Sequence, residues 1–167
     1  MASEQPQQGG IRLKVRVNGE QHESVVDPRM NLADYLREEL RLTATHVGCE
    51  HGVCGICNVL VDGQTVRSCL MLAVQVDGKE VLTVEGLAEG GKLHPIQEAF
   101  IEEHGLQCGF CTGGFMMAIC ELFDRNPSPS EEEIKEVVGG QICRCTGYNA
   151  ILRSVQNAAA KMGASRS

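Results

Sequence analysis

Tryptophan is absent, and four phenylalanines and two tyrosines are the only bulky aromatic side chains in 167 residues. A chain with so few large groups buries little apolar area, so staples other than packing are expected. A positive charge excess is also missing: 15 Lys and Arg stand against 22 Asp and Glu, a formal net charge of -7. That argues against a binder of nucleic-acid backbones, which needs a basic face to neutralise phosphates. The surplus of acids reads as solubility. Long apolar runs are missing as well, and nothing approaches the ~18 apolar residues of a membrane span. The opening residues MASEQPQQGG lack the basic region and apolar core of a signal peptide, and residues 1–10 read as a disordered tail. The chain is expected in the cytoplasm, where disulfides are rare.

Cysteine is what the chain has in excess. Nine occur, at 49, 54, 57, 69, 108, 111, 120, 143 and 145. An odd number in a reducing compartment argues for metal or redox chemistry over a disulfide framework. Three fall in the stretch CEHGVCGIC at 49–57, and Cys69 follows after eleven intervening residues. Cys-x4-Cys-x2-Cys…Cys is the plant-type [2Fe–2S] spacing. Three ligands fit on one loop, and the fourth must arrive from a neighbouring strand. Gly48, Gly52 and Gly55 let the backbone take positive φ and turn N–H donors toward anionic sulfur. Structural zinc, the bland reading, prefers paired Cys-x2-4-Cys knuckles, which this set lacks. The second set is Cys108-x2-Cys111 with Cys143-x-Cys145. Its spacing alone leaves zinc, a redox dithiol and a [2Fe–2S] cluster open.

The pattern around the thiols divides the chain. Ile11–Val17 alternates with Ile11, Leu13, Val15 and Val17 on one face, Asn18-Gly19 is a hairpin turn, and His22–Val26 is the returning strand. Asn31 caps a helix carrying Leu32, Tyr35, Leu36 and Leu40. Cys57–Val61 reads as a strand followed by the turn Asp62-Gly63, and further strands are expected at 69–76 and 80–84. From about Gly86 the period becomes helical, over 93–104, 112–123, 130–138 and 150–162. Ser130 with Glu133 forms a capping box. The reading is α+β: a sheet domain at 11–85, then a helical unit at 86–167. Each cysteine pair of the second set falls in a loop between two helices, which suggests approximate two-fold symmetry around one site.

The segments GCEHGVCGICNVLVDG (48–63), Ser68-Cys69-Leu70, GLQCGFCTGGFMM (105–117) and GGQICRCTGY (139–148) resemble the small iron–sulfur subunit of molybdenum hydroxylases, the xanthine dehydrogenase/aldehyde oxidase family. In length the chain is similar to the separate small subunit of bacterial quinoline, isoquinoline, nicotinate and carbon monoxide dehydrogenases. The resemblance covers about residues 11–162. It implies a β-grasp, ferredoxin-like domain with a plant-type [2Fe–2S] cluster on Cys49, Cys54, Cys57 and Cys69. It implies a four-helix-bundle domain with a second [2Fe–2S] cluster on Cys108, Cys111, Cys143 and Cys145. Gln107 matches the glutamine that hydrogen-bonds the pterin, and Cys108 the ligand nearest that cofactor. The implied partners are a large subunit with molybdopterin, as its cytosine dinucleotide, and a medium FAD subunit, in a dimer of heterotrimers. The chain would relay electrons from molybdopterin to FAD and do no bond-making itself. The holoenzyme would hydroxylate an N-heteroaromatic such as quinoline with water. Carbon monoxide or aldehyde oxidation, and a free ferredoxin-type carrier, are the alternatives. A structural zinc protein is a further rival. The family commonly has proline where Gly113 stands, and its loss would loosen the helix start.

Five further readings concern individual residues or pairs of residues. Cys120 is expected as core packing. His46 and His51 are expected not to ligate, since four cysteines satisfy the site. Arg144 either tunes a cluster or is a surface guanidinium. Met116-Met117 belongs to core or subunit interface, and Tyr148 and Asn149 are partner-facing candidates.

Overall fold

A computed structural model describes residues 9–164; apart from Gly9 and Gly10, the expected tail lies outside them. Strand β1 (Ile11–Val17) pairs antiparallel with β2 (Glu20–Val26), Val17 opposite Glu20. Asn18 and Gly19 have φ of 51° and 83°, the left-handed pair of a type I′ turn. So tight a turn starts the return strand at Glu20, two residues before the expected His22. Leu13, Val15 and Val17 are buried, whereas Ile11, at the open end of the sheet, is exposed.

Asn31 caps α1 (Leu32–Asp34), its side chain accepting from the Asp34 N–H at 2.8 Å. The chain continues as a π turn over Tyr35–Glu39 rather than as the α-helix expected to Leu40. That widening leaves Tyr35 and Leu36 both fully buried.

Strands β3 (Asn58–Val61) and β4 (Gln64–Arg67) form a second hairpin around Asp62-Gly63. Strand β5 (Glu80–Leu82) lies parallel to β1 and antiparallel to β3, giving the order β2-β1-β5-β3-β4. The expected strand at 69–76 does not form. Ala73–Val76 is a 3₁₀ turn, which buries Ala73 and Val76 together because side chains three apart eclipse at that period.

A 3₁₀ turn at Val84–Leu87 leads to the helices α2 (Pro95–Glu102), α3 (Thr112–Arg125), α4 (Glu131–Gly139) and α5 (Asn149–Ala164). Pro95 starts α2 under a His94 cap, and Ser130 and Glu133 cap α4 reciprocally. One apolar core lies under the sheet around Leu13, Tyr35, Leu36 and Val59. A second gathers Phe100, Phe115, Ile119, Phe123, Ile134 and Val155 from the four helices. Strand β3 is buried along its whole length because it serves both: Val59 and Val61 face the first core, and Leu60 joins the second. Among the described residues no helix is long and apolar enough to cross a membrane.

Candidate metal centres

The loop from Cys49 to Cys57 is bent by left-handed residues, Glu50 at φ 56°, Gly52 at 80° and Gly55 at 70°. Gly48 is not left-handed. Its role is space: a Cβ there would lie 3.0 Å from Ile56 Cδ1 and 3.4 Å from Cys54 Sγ. Buried Ser68 donates its hydroxyl to the Cys57 carbonyl at 2.7 Å, which brings Cys69 from the end of β4 to Cys57. The thiols then lie as interacting neighbours, Cys49 beside Cys54 and Cys57 beside Cys69. The N–H groups of Cys54, His51 and Val53 donate to the Cys49 sulfur and pull it down to about 6. Burial pushes Cys69 up to about 11, although the Gly52 N–H points at it. The loop thus aims donors at sulfur, as anionic thiolates require.

The other four thiols meet where two interhelical loops face each other. Cys108 and Cys111 precede α3, and Cys143 and Cys145 precede α5. Cys145 Sγ lies 3.5 Å from Cys108 Sγ, and the Cys111 and Cys143 thiols are interacting neighbours. Cys111 and Cys143 are buried; Cys108 and Cys145 are exposed, with exposed Gln107 beside them. Burial drives Cys111 up to about 12. Burial also works to raise Cys143, but the hydroxyl and N–H of Thr146, the Cys145 N–H and the Cys111 thiol together outweigh it and leave that thiol lowered. The Phe110 N–H, and then the Cys145 thiol, hold Cys108 below its ordinary value.

Sequence reasoning missed Thr146 and misplaced Tyr148. Thr146 donates its N–H to Cys143 Sγ at 3.4 Å. The Tyr148 hydroxyl accepts from the Cys143 N–H at 3.0 Å and donates to the Gln141 carbonyl at 3.2 Å. Its ring meets Phe115 edge-on, so this tyrosine braces the ligand loop from inside. A hydroxyl residue directly after Cys145 was the available signal for Thr146.

The two quartets adjoin. The Ile142 N–H donates to the Cys54 carbonyl at 2.9 Å. A Cβ on Gly114 would lie 2.7 Å from the Ile56 carbonyl oxygen, so α3 begins in backbone contact with the first loop. Gly113 is also closely packed, though less tightly: a Cβ there would sit 3.1 Å from the Ala44 carbonyl oxygen. His46 stacks on Phe110 at 4.5 Å and contacts its carbonyl through Nδ1 at 2.9 Å. His46 therefore joins the two loops, while the His51 ring turns onto the Cys49 carbonyl.

The donor set fits two binuclear clusters. Each [2Fe–2S] cluster takes thiolates two by two, one pair per iron, and the eight sulfurs are arranged as four such pairs. Among the described residues no three His, Cys, Asp or Glu side chains converge as a site for a single metal ion would require. All nine cysteines are free thiols. Cys120 lies apart from both quartets, buried in the helical core and raised to about 12 by that burial. Met116 and Met117 belong to the same core, and Arg144 and Asn149 are exposed.

Two family models match in tandem, "2Fe-2S iron-sulfur cluster binding domain" over residues 15–88 and "[2Fe-2S] binding domain" over 83–156. The nicotine 6-hydroxylase small subunit of Paenarthrobacter nicotinovorans is 51% identical over 153 residues, covering 92% of each chain. The chain belongs to the small iron–sulfur subunits of the molybdenum hydroxylase family. The caffeine dehydrogenase subunit gamma of Pseudomonas sp. (strain CBB1) is also 51% identical, covering 87% of this chain and 89% of that one. Among solved structures, quinoline 2-oxidoreductase from Pseudomonas putida 86 superposes with a TM-score of 0.90 at 45% identity, covering 94% of this chain and 98% of that one. Like its relatives, this small iron–sulfur subunit is part of an oxidoreductase.

Proposed function

We propose that this chain relays single electrons from molybdopterin in a large partner subunit to FAD in a medium one, within a dimer of heterotrimers. The observation that carries the reading is the sorting of eight cysteines into four pairs within two adjoining quartets. In this reading the sheet grasping α1 is a β-grasp ferredoxin-like domain, and α2 to α5 form a four-helix bundle.

When bound, a [2Fe–2S] cluster accepts and releases one electron. The chain's own residues do the rest. Cys49, Cys54, Cys57 and Cys69 hold one cluster, and Cys108, Cys111, Cys143 and Cys145 hold the other. Backbone N–H groups of His51, Val53 and Cys54 stabilise thiolate on the first loop. Thr146 does so on the second. In this reading the pterin docks at the second quartet and Gln107 hydrogen-bonds it; the exposure of Cys108, Cys145 and Gln107 supports this. Leu106, Phe110 and Ile142 are exposed around them and form an apolar rim for a partner. Val53 and Leu70 do the same beside the first quartet, on the side that faces FAD.

The holoenzyme acts on an N-heteroaromatic, hydroxylated with oxygen from water. Support comes from relatives named for nicotine, caffeine, nicotinate and quinoline. Others are named for aldehydes. The test is purification of the native complex, identification of co-eluting chains, and turnover of quinoline, nicotinate and an aromatic aldehyde with an artificial acceptor. Two larger co-eluting chains and N-heteroaromatic turnover are expected. A stable population at the mass of this chain alone would indicate a free carrier, and aldehyde turnover alone would move the substrate class.

A further inference from the structure

The two quartets are tied together by a charged clasp. Arg67 ends β4, two residues before Cys69. Its Nε donates to the Gly52 carbonyl at 3.2 Å, one terminal nitrogen to Asn58 Oδ1, and the other to the Gly140 carbonyl at 3.0 Å. Asn58, only 2% exposed, passes the link on: its Nδ2 donates to the Gly114 carbonyl at 3.2 Å. Gly52 lies between Cys49 and Cys54, Gly140 three residues before Cys143, and Gly114 three residues after Cys111. One guanidinium therefore reaches, directly or through one amide, backbone next to ligands of both quartets.

The geometry suits arginine and little else. Carbonyl oxygens and an amide oxygen from three separate segments converge on one planar fork of donors. Without it these acceptors would face one another with no donor between them, at the usual cost of unpaired polar groups. The surrounding backbone is already in contact: a Cβ on Gly55 would lie 2.7 Å from Gln141 Cγ and 3.4 Å from Arg67 Cζ. The cation is thus packed against the loop of the first quartet.

We propose that Arg67 is a positioning residue of the relay, fixing the spacing of the two cysteine quartets and raising the reduction potential of the first. The proposal rests on the relay reading above. Reduction by dithionite adds one electron to a thiolate-bound centre that is already anionic, and no bond breaks. A fixed cation beside that centre stabilises the added charge. Two of the three groups Arg67 touches, Gly52 and Asn58, belong to the first-quartet segment, so its charge acts there most.

The test is EPR of the dithionite-reduced full chain, comparing wild type with Arg67→Met, Arg67→Lys and Asn58→Ser. The readouts are the magnetic splitting between the two centres and the midpoint potential of the first. Wild type is expected to show two iron–sulfur signals that split each other. Arg67→Met changes that splitting and shifts the first potential to a more negative value. Arg67→Lys, which keeps the charge and loses the fork, restores the potential but not the splitting. Asn58→Ser alters the splitting and leaves the potential alone. An Arg67→Met protein with unchanged splitting and potential overturns the proposal. Should that variant fail to load iron, unchanged splitting in both Asn58→Ser and Arg67→Lys overturns it equally. Absence of any iron–sulfur signal from wild type would instead defeat the relay reading itself.

Discussion

The backbone N–H of Ile142 donates to the carbonyl of Cys54 at 2.9 Å. Cys54 belongs to one thiol quartet, and Ile142 directly precedes Cys143 of the other. One hydrogen bond therefore connects the ligand sets through a handful of covalent bonds. Ile142→Pro removes the donor and leaves a carbonyl of a buried residue without it. The expected loss is about 1 kcal/mol, seen as a fall of roughly 2–4 °C in Tm. Thermal unfolding of the iron-loaded chain checks it; an unchanged Tm would show the bond to be dispensable.

Each quartet has its own four thiols, so the centres should be separable. Cys57→Ala is expected to remove about half of the bound iron and the plant-type EPR signal. The second signal should stay, because Cys111 and Cys143 are anchored in the helical core rather than under the sheet. Loss of both signals would mean that the backbone contacts between the loops control loading.

Gly114 marks the tightest approach between the helices and the first loop. Gly114→Ala would drive a methyl group into the carbonyl oxygens of both Gly55 and Ile56. The expected cost is about 1–3 kcal/mol, with a perturbed first-centre spectrum. Gly113→Ala meets Ala44 at 3.1 Å and should cost less. Denaturant unfolding of the two variants ranks them; equal stability would contradict the packing.

The sequence made much of this legible, where local chemistry decides. Asn18-Gly19 announced the first hairpin, Ser130 and Glu133 the start of α4, and the cysteine spacings both candidate centres. It was silent where tertiary context decides. Polar Gln64–Arg67 has no strand pattern and becomes β4 only by pairing with β3. Residues 69–76 are apolar enough for a strand, but the core takes Ala73 and Val76 at 3₁₀ spacing. Nothing in the sequence singles out Arg67, because its partners Gly52 and Gly140 are far away in sequence and present only carbonyls.

His94 gives a pH dependence. Its Nδ1 accepts from the Ile96 N–H at 3.3 Å at the start of α2, which needs the neutral ring. Burial lowers its pKa from the ordinary 6.5, although Asp124 and Glu89 oppose the shift. The unfolded chain then binds the proton more readily, so stability falls as pH drops through 6.5 toward the folded value. His94→Asn, which keeps a capping oxygen, should lose less stability than wild type as pH falls below 6.5. Parallel denaturant titrations decide; identical slopes would remove His94 from the pH response.

Gln107 is exposed beside Cys108. Gln107→Ala is expected to lower turnover or molybdopterin retention in the holoenzyme severalfold and leave iron content unchanged. Unaltered turnover with full cofactor would show that this side chain makes no needed contact.

The most direct measurement is iron and acid-labile sulfide on the purified native protein, read together with its visible absorption. The expected result is a red-brown chain with equal iron and sulfide, enough for two binuclear clusters. A colourless chain holding stoichiometric zinc, or thiols cross-linked to one another, would contradict it.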